Sequence, residues 1–166
     1  MKASADASVI IDLPKDERLI SLAKKRYSKI YVPTEVFDEH KKPKRHVQRI
    51  HLLEQEGFIE RKELNDIGMK YFRSFLRRER LGMGECAAIA LALQLDLPEV
   101  LLDDKLAIST ASKVGLRCVS VCYLPLWGFK KHLVASDEAE HMLKKLFKSG
   151  DPNFLVLLGI LHELER

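Results

Sequence analysis

The sequence predicts an α/β protein, a parallel sheet with helices on both faces, and three observations predict it. Short apolar runs of strand length, such as Ile30-Tyr31-Val32 and Val100-Leu101-Leu102, alternate with longer segments of helical periodicity. That strand–helix–strand rhythm is the mark of a parallel sheet, because parallel strands need a crossover between them. The segment Glu85–Leu93 has strong helix formers at nearly every position and, after Leu97-Pro98, runs into one of these strands. Finally, the Val100–Leu102 strand runs straight into Asp103-Asp104, placing two carboxylates where open α/β sheets bind ligands.

Taken in order, a first strand is expected at residues 2–5, ended by Asp6-Ala7-Ser8. A helix over Arg18–Ala23 follows the start signal Pro14 and has Asp16 in its first turn. Ile30–Val32 is the second strand, stopped by Pro33, and Thr34 is an N-cap for a helix over Glu35–His40 that carries Glu39 about one turn in. Val47–Glu56 has the spacing of an amphipathic helix closed by Gly57, and Phe58-Ile59 begins a further strand. Asp66–Arg80 is a basic amphipathic helix with Met69, Phe72, Phe75 and Leu76 on one side. Leu106–Val114 is a helix closed by Gly115, Cys118–Val121 is a strand, and two helices complete the chain. Ser136 is expected to cap the first of them, and Asp151-Pro152 to start the second. The whole reads as one domain, residues 1–130, with residues 131–166 as a helical C-terminal extension of it.

Charge is unevenly placed. With 166 residues, 46% of them hydrophobic, the chain can bury one core; its net charge of +4 is modest. Yet Lys41, Lys42, Lys44, Arg45 and Arg49 fall in a stretch without an acid, and Lys70, Arg73, Arg77, Arg78 and Arg80 stand against Glu79 alone. Two basic clusters beside grouped carboxylates suggest a polyanionic partner, although any one cluster is commonly just a solvated face. The 3 cysteines form no CxxC pair and are expected to be reduced. Asp6 interrupts any apolar N-terminal region, so no signal peptide is expected. The most apolar run, Phe154–Leu161, is far shorter than the ~20 residues that span a bilayer. A soluble, cytoplasmic protein without membrane contact is the expectation.

The chemistry lies with the acids. Asp6, Glu39, Glu85, Asp103 and Asp104 all sit at strand ends or adjoining helix starts, where the direction of the chain would gather them. Carboxylates brought together raise one another's pKa unless a cation neutralises them. Magnesium and manganese are hard ions suited to oxygen ligands and to phosphodiester hydrolysis. Each acid also has an ordinary explanation: Asp6 as a turn residue, Glu39 as a solvated helix residue, Glu85 as a partner for the helix dipole, and Asp103-Asp104 as a turn with an N-cap. Only their joint placement argues for a site. The histidines show no metal-ligand spacing, and no glycine-rich phosphate loop or GxSxG elbow is present. Trp127 reads as a packing residue.

The acids in this order resemble the PIN-domain family of metal-dependent nucleases, which includes the VapC-like toxins. The resemblance rests on Asp6-Ala7-Ser8-Val9-Ile10, on Val32-Pro33-Thr34-Glu35-Val36-Phe37-Asp38-Glu39, on Gly84-Glu85-Cys86-Ala87-Ala88-Ile89-Ala90-Leu91-Ala92, and on Val100-Leu101-Leu102-Asp103-Asp104-Lys105. It implies a three-layer α/β/α Rossmann-like fold with a parallel central sheet, to which this chain adds C-terminal helices. It also implies a site for Mg2+ or Mn2+, cleavage of single-stranded RNA, and dimers. Carried over by position, Asp6, Glu39, Glu85 and Asp104 are the catalytic acids. Asp6, Glu85, Asp103 and Asp104 are the candidate metal ligands, with Ser8 supporting them. Lys41, Lys42, Lys44, Arg45 and Arg49 would hold RNA. Leu102 stands where many members have threonine, leaving open which of Asp103 and Asp104 faces the metal. The expected partners are RNA, a second copy in a homodimer, and an antitoxin protein if the chain is the toxin of such a pair. Two alternatives compete: a non-catalytic nucleic-acid- or protein-binding module on the same fold, and a haloacid-dehalogenase-type phosphatase. The phosphatase is disfavoured because Ser8 occupies the position where a second aspartate is expected.

Overall fold

The structure is a computed structural model, which describes residues 1–34, 44–78, 80–148 and 151–166, with the side chains of 44–46 outside the description. The sheet is fully parallel, with five strands: β1 (Lys2–Ala5), β2 (Lys29–Pro33), β3 (Ile59–Lys62), β4 (Glu99–Leu101) and β5 (Arg117–Val119). Their spatial order is β3-β2-β1-β4-β5. The chain therefore winds outward from β1 in one direction and then returns to the other side of β1 with β4. The register is fixed by pairs such as Ala3 with Ile30 and Ala5 with Leu101.

The alternation along each strand sorts the core into two faces, as a period of 2 demands. Ala3, Ala5, Ile30, Val32 and Leu101 point to one side and pack with α1 (Ala7–Asp12), α2 (Glu17–Arg26) and α3 (Lys44–Gln55). Tyr31, Val100 and Leu102 point to the other and pack with α4 (Asp66–Arg78), α5 (Met83–Gln94) and α6 (Lys105–Lys113). The result is a three-layer α/β/α molecule, as expected from the sequence.

Helix α5 lies deepest. Every residue from Cys86 to Ala92 is buried, so it is apolar all round rather than on one stripe, which is the pattern of a helix enclosed on all sides. Its small residues let α4 lie close over it, and a Cβ on Gly68 would reach within 2.1 Å of Gln94 Oε1. The start of α4 thus meets the end of α5, and the basic end of α4 turns back toward the start of α5.

After β5 the chain makes a 3-10 turn (Val121–Tyr123) and three helices: α7 (Leu124–Lys130), α8 (Ser136–Leu146) and α9 (Pro152–Leu164). Two of these, α8 and α9, were expected. The missed helix, α7, contains both Pro125 and Gly128. Proline in the first turn costs nothing because its absent N–H has no partner there anyway. Gly128 is needed because Leu22 of α2 lies within 2.8 Å of where its Cβ would be. Asp151 caps α9 through Asn153 N at 2.8 Å, as expected. The cap of α8 is Ala135 rather than Ser136, with Glu138 accepting from Ala135 N at 2.9 Å. Leu157 and Leu161 of α9 are buried against Leu126, Ala139 and Leu143, making a small second core. Lys145 of α8 ties this tier to the main body by reaching Asp16, the N-cap of α2, at 2.9 Å. Among the described residues no helix is long and apolar enough to cross a membrane.

Candidate active site

Because β2 lies on one side of β1 and β4 on the other, the sheet changes its winding direction between β1 and β4, and ligands of open α/β sheets bind at the carboxyl ends of such strands. Asp6 leaves β1 at this point, its N–H still donating to Leu101 O of β4 at 3.3 Å. Its side chain caps α1: Oδ1 accepts from Ser8 N at 2.9 Å and from Ser8 Oγ at 2.5 Å. Only 7% of the residue is exposed. Burial pushes the carboxyl up to about 6; the Ser8 hydrogen bonds oppose that shift, while the charges of Asp103 and Glu85 add to it. Two acids from distant parts of the chain therefore act on Asp6, and the three share one electrostatic pocket.

Glu85 is put there by α5. Ser4 Oγ, buried in β1, donates to Ala88 O at 2.7 Å, which ties the second turn of α5 to β1. The Glu85 carboxylate accepts from Gly82 N at 2.6 Å, closing the helix start in the manner of a capping box. Asp103 and Asp104, both exposed, follow β4 and diverge. Asp103 accepts a hydrogen bond from Ser120, just past β5. Asp104 Oδ1 accepts from Leu106 N at 2.8 Å and Ala107 N at 2.9 Å, as the N-cap of α6. Of the two, Asp103 is the one whose charge acts on Asp6.

Asp12, at the far end of α1, lies near enough to this group for the charge of Asp103 to act on it, and no sequence motif points to it. Burial raises its carboxyl, Lys15 at 2.5 Å opposes the shift, and the charge of Asp103 adds to it. An aspartate three residues before a lysine reads as an ordinary helix-surface ion pair; its nearness to Asp103 is a matter of tertiary packing. Beside it, the Cys122 thiol is pushed up to about 12 by burial and by the charge of Asp103, so it is a neutral wall rather than a nucleophile.

The remaining expected site residues are placed as follows. Glu39, Lys41 and Lys42 lie outside the described residues, as do the side chains of Lys44 and Arg45, and so does the helix expected over Glu35–His40. Arg49 spends its guanidinium on Pro14 O at 2.6 Å and Glu17 at 2.8 Å, joining α3 to the start of α2. Lys70, Arg73, Arg77 and Arg78 are exposed along α4, and Arg80 is exposed just beyond it, leading into the turn that carries Glu85.

Among the described residues, no group of three His, Cys, Asp or Glu side chains stands ready to hold a metal ion. The physical reason is visible: Glu85 and Asp103 have turned oxygens toward Gly82 N and Ser120 Oγ. The donor set nevertheless fits a hard divalent cation. It is made wholly of carboxylate and hydroxyl oxygens around a buried acid whose pKa is raised first by burial and then by the charges of Asp103 and Glu85.

An open parallel sheet with acids gathered at its switch point defines the class: a three-layer α/β/α protein whose ligand site is expected at the carboxyl edge of the strands. Comparison with family models narrows this. A PIN-domain model matches residues 3–151, and the chain belongs to the PIN-domain family. PIN domains are generally nucleases and generally use divalent metal ions. No curated protein matches the sequence significantly.

Proposed function

We propose that this protein is a metal-dependent endoribonuclease acting on single-stranded RNA. The observation that carries the reading is the placement of the buried Asp6 at the β1/β4 switch point, with Glu85 and Asp103 near enough for their charges to act on it. Asp6, Glu85 and Asp103 would hold Mg2+ or Mn2+, joined by Glu39, while Asp104 anchors the turn that presents Asp103. When bound, the cation supplies charge neutralisation at the phosphate and activation of water for attack on phosphorus. The protein's own part is positional. Ser8 and Ser120 hold Asp6 and Asp103 by hydrogen bonds, and the cationic end of α4 offers charge to the RNA backbone, which carries no sequence information.

The test is cleavage of single-stranded RNA with magnesium or manganese. Asp6→Asn and Glu85→Gln should lower the rate at least tenfold to a hundredfold, the usual scale for disturbing a metal centre, without loss of fold by circular dichroism. Asp104→Asn, which keeps a capping side chain, should cut within about threefold of wild type. Wild-type rates in both acid variants would defeat the proposal.

A toxin role with an antitoxin partner, and a homodimer, belong to the same proposal; the exposed apolar side chains Leu155, Ile160 and Leu164 on α9 support a protein contact there. The free cysteines suit a reducing, cytoplasmic setting. A second reading, a binding module on the PIN fold, draws on the fact that Glu85 and Asp104 already serve as helix caps. Carboxylate-dependent binding of manganese separates the two, since a module without a metal centre would show none.

A further inference from the structure

A cavity of about 380 Å³ opens directly beside the acidic pocket and shares Asp103 and Ser120 with it. One wall is polar and rich in acceptors, with Asp12 next to Asp103. The opposite walls are apolar and aromatic, formed by Tyr123, Phe147 and Val156. Lys105 and Asn153 stand at its edge, both exposed. The side chains from α9 lie beyond the segment matched by the family model, which ends at residue 151. The C-terminal helix therefore completes a hollow that the matched segment leaves open on one side.

We propose that this cavity is a nucleobase subsite, receiving the base of the nucleotide adjoining the phosphate held at Asp6, Glu85 and Asp103. This rests on the ribonuclease reading. Four features point to a base rather than to another occupant. The volume lies at the small end of ligand pockets, about 300–1,000 Å³, which suits one flat ring system. Aromatic side chains give a base a stacking surface whatever its sequence. Asp12 and Asp103 offer only acceptors when ionised, so they favour bases that present N–H groups: guanine first, then adenine and cytosine, with uracil last. The cavity also shares Asp103 with the acidic pocket, and the exposed Lys105, two residues on, lines it and offers a cation to the intervening phosphate. The 3-10 turn and α9 then supply the surface that seats the base, while the preference among bases comes from Asp12 and Asp103.

The experiment is fluorescence anisotropy with short labelled single-stranded RNAs that differ in one central base, measured in magnesium on the full chain carrying Asp6→Asn, so that binding is read without cleavage. Expected are binding with guanine preferred over uracil by about tenfold, and loss of that preference, with roughly tenfold weaker binding, in Tyr123→Ala and in Val156→Trp, which fills the cavity. Both positions are more than half exposed, at 51% and 61%, and unchanged circular dichroism establishes the fold of each variant. The inference is overturned if the variants bind all RNAs as the parent does, if the parent ignores the central base, or if no RNA binds. It is likewise overturned if filling the cavity blocks only a protein partner. Cleavage by wild type that disappears in Glu85→Gln, together with any of these results, would sink the subsite while leaving the ribonuclease reading intact.

Discussion

Asp6 shows how one side chain can satisfy an ordinary explanation and a functional one together. It caps α1 through Ser8, as a turn aspartate would, and it is also the buried member of the acidic pocket. The cost is measurable. Burial holds its folded-state pKa at about 6, above the ordinary aspartate value of 3.8, so between these values the native state binds more protons than the unfolded chain. Stability contributed by this group therefore falls as pH rises from about 4 to 6, and the penalty is complete at neutral pH. Asp6→Asn, which keeps the cap and loses the charge, should stabilise the metal-free protein at pH 7 by up to about 3 kcal/mol, an advantage that vanishes below about pH 4. Denaturant midpoints at the two pH values check this, and equal midpoints for variant and wild type at pH 7 would contradict it.

At the scale of elements, β2 and β4 were readable because each holds a short apolar run beside a turn residue, and β1 matched its expected bounds of 2–5, whereas β3 runs on from Ile59 through the charged Glu60, Arg61 and Lys62. Helices with a cap and a clear stop were equally legible; α9 begins at Pro152 behind Asp151. The helix α7 was not, because proline and glycine within seven residues read as a break, and what makes them acceptable is a neighbour, Leu22, that lies a hundred residues away. The same contact makes a prediction. Gly128→Val would drive its side chain into Leu22 and should cost about 1–3 kcal/mol by overpacking, read as a lowered thermal midpoint. Gly159→Ala, in open space on α9, should cost nothing or stabilise slightly by favouring the helix. That Asp6, Glu85 and Asp103 lie at one edge of the sheet was legible, because strand direction and the helix start before β4 set their positions. Asp12 was not, since its nearness to Asp103 depends on how α1 packs beneath the turn after β5.

Across the whole molecule, the two ends of the sheet carry opposite solutions to buried charge. At the amino end of β4, Glu99 is fully buried and compensated: Arg117 reaches it at 2.6 Å, Arg26 at 3.2 Å, and Tyr27 donates its hydroxyl to it. Burial and the neighbouring Glu99 together push the Tyr27 phenol upward, which keeps it a donor. Arg26 also stacks 5.5 Å from the centre of the Trp127 ring, so this cluster binds β4, α2 and α7 together. Trp127 has the packing role expected of it. Breaking a buried pair by removing one partner typically costs about 3–5 kcal/mol, and Glu99→Ala should fall near the lower end because Arg117 remains open to water. Urea unfolding is the measurement; a change below about 1 kcal/mol would show that this cluster does not hold the molecule together. At the carboxyl end, among the described residues, no arginine or lysine is seen to pair with Asp6 as Arg26 and Arg117 pair with Glu99.

Helices α1, α5 and α6 all begin at that edge, and their first turns are closed by Asp6, Glu85 and Asp104 respectively. Their amide ends supply some of the positive charge the acids lack, so the pocket keeps its shape before any ion arrives. Chelation should therefore act as a reversible off-switch, silencing the chemistry while the scaffold stays folded.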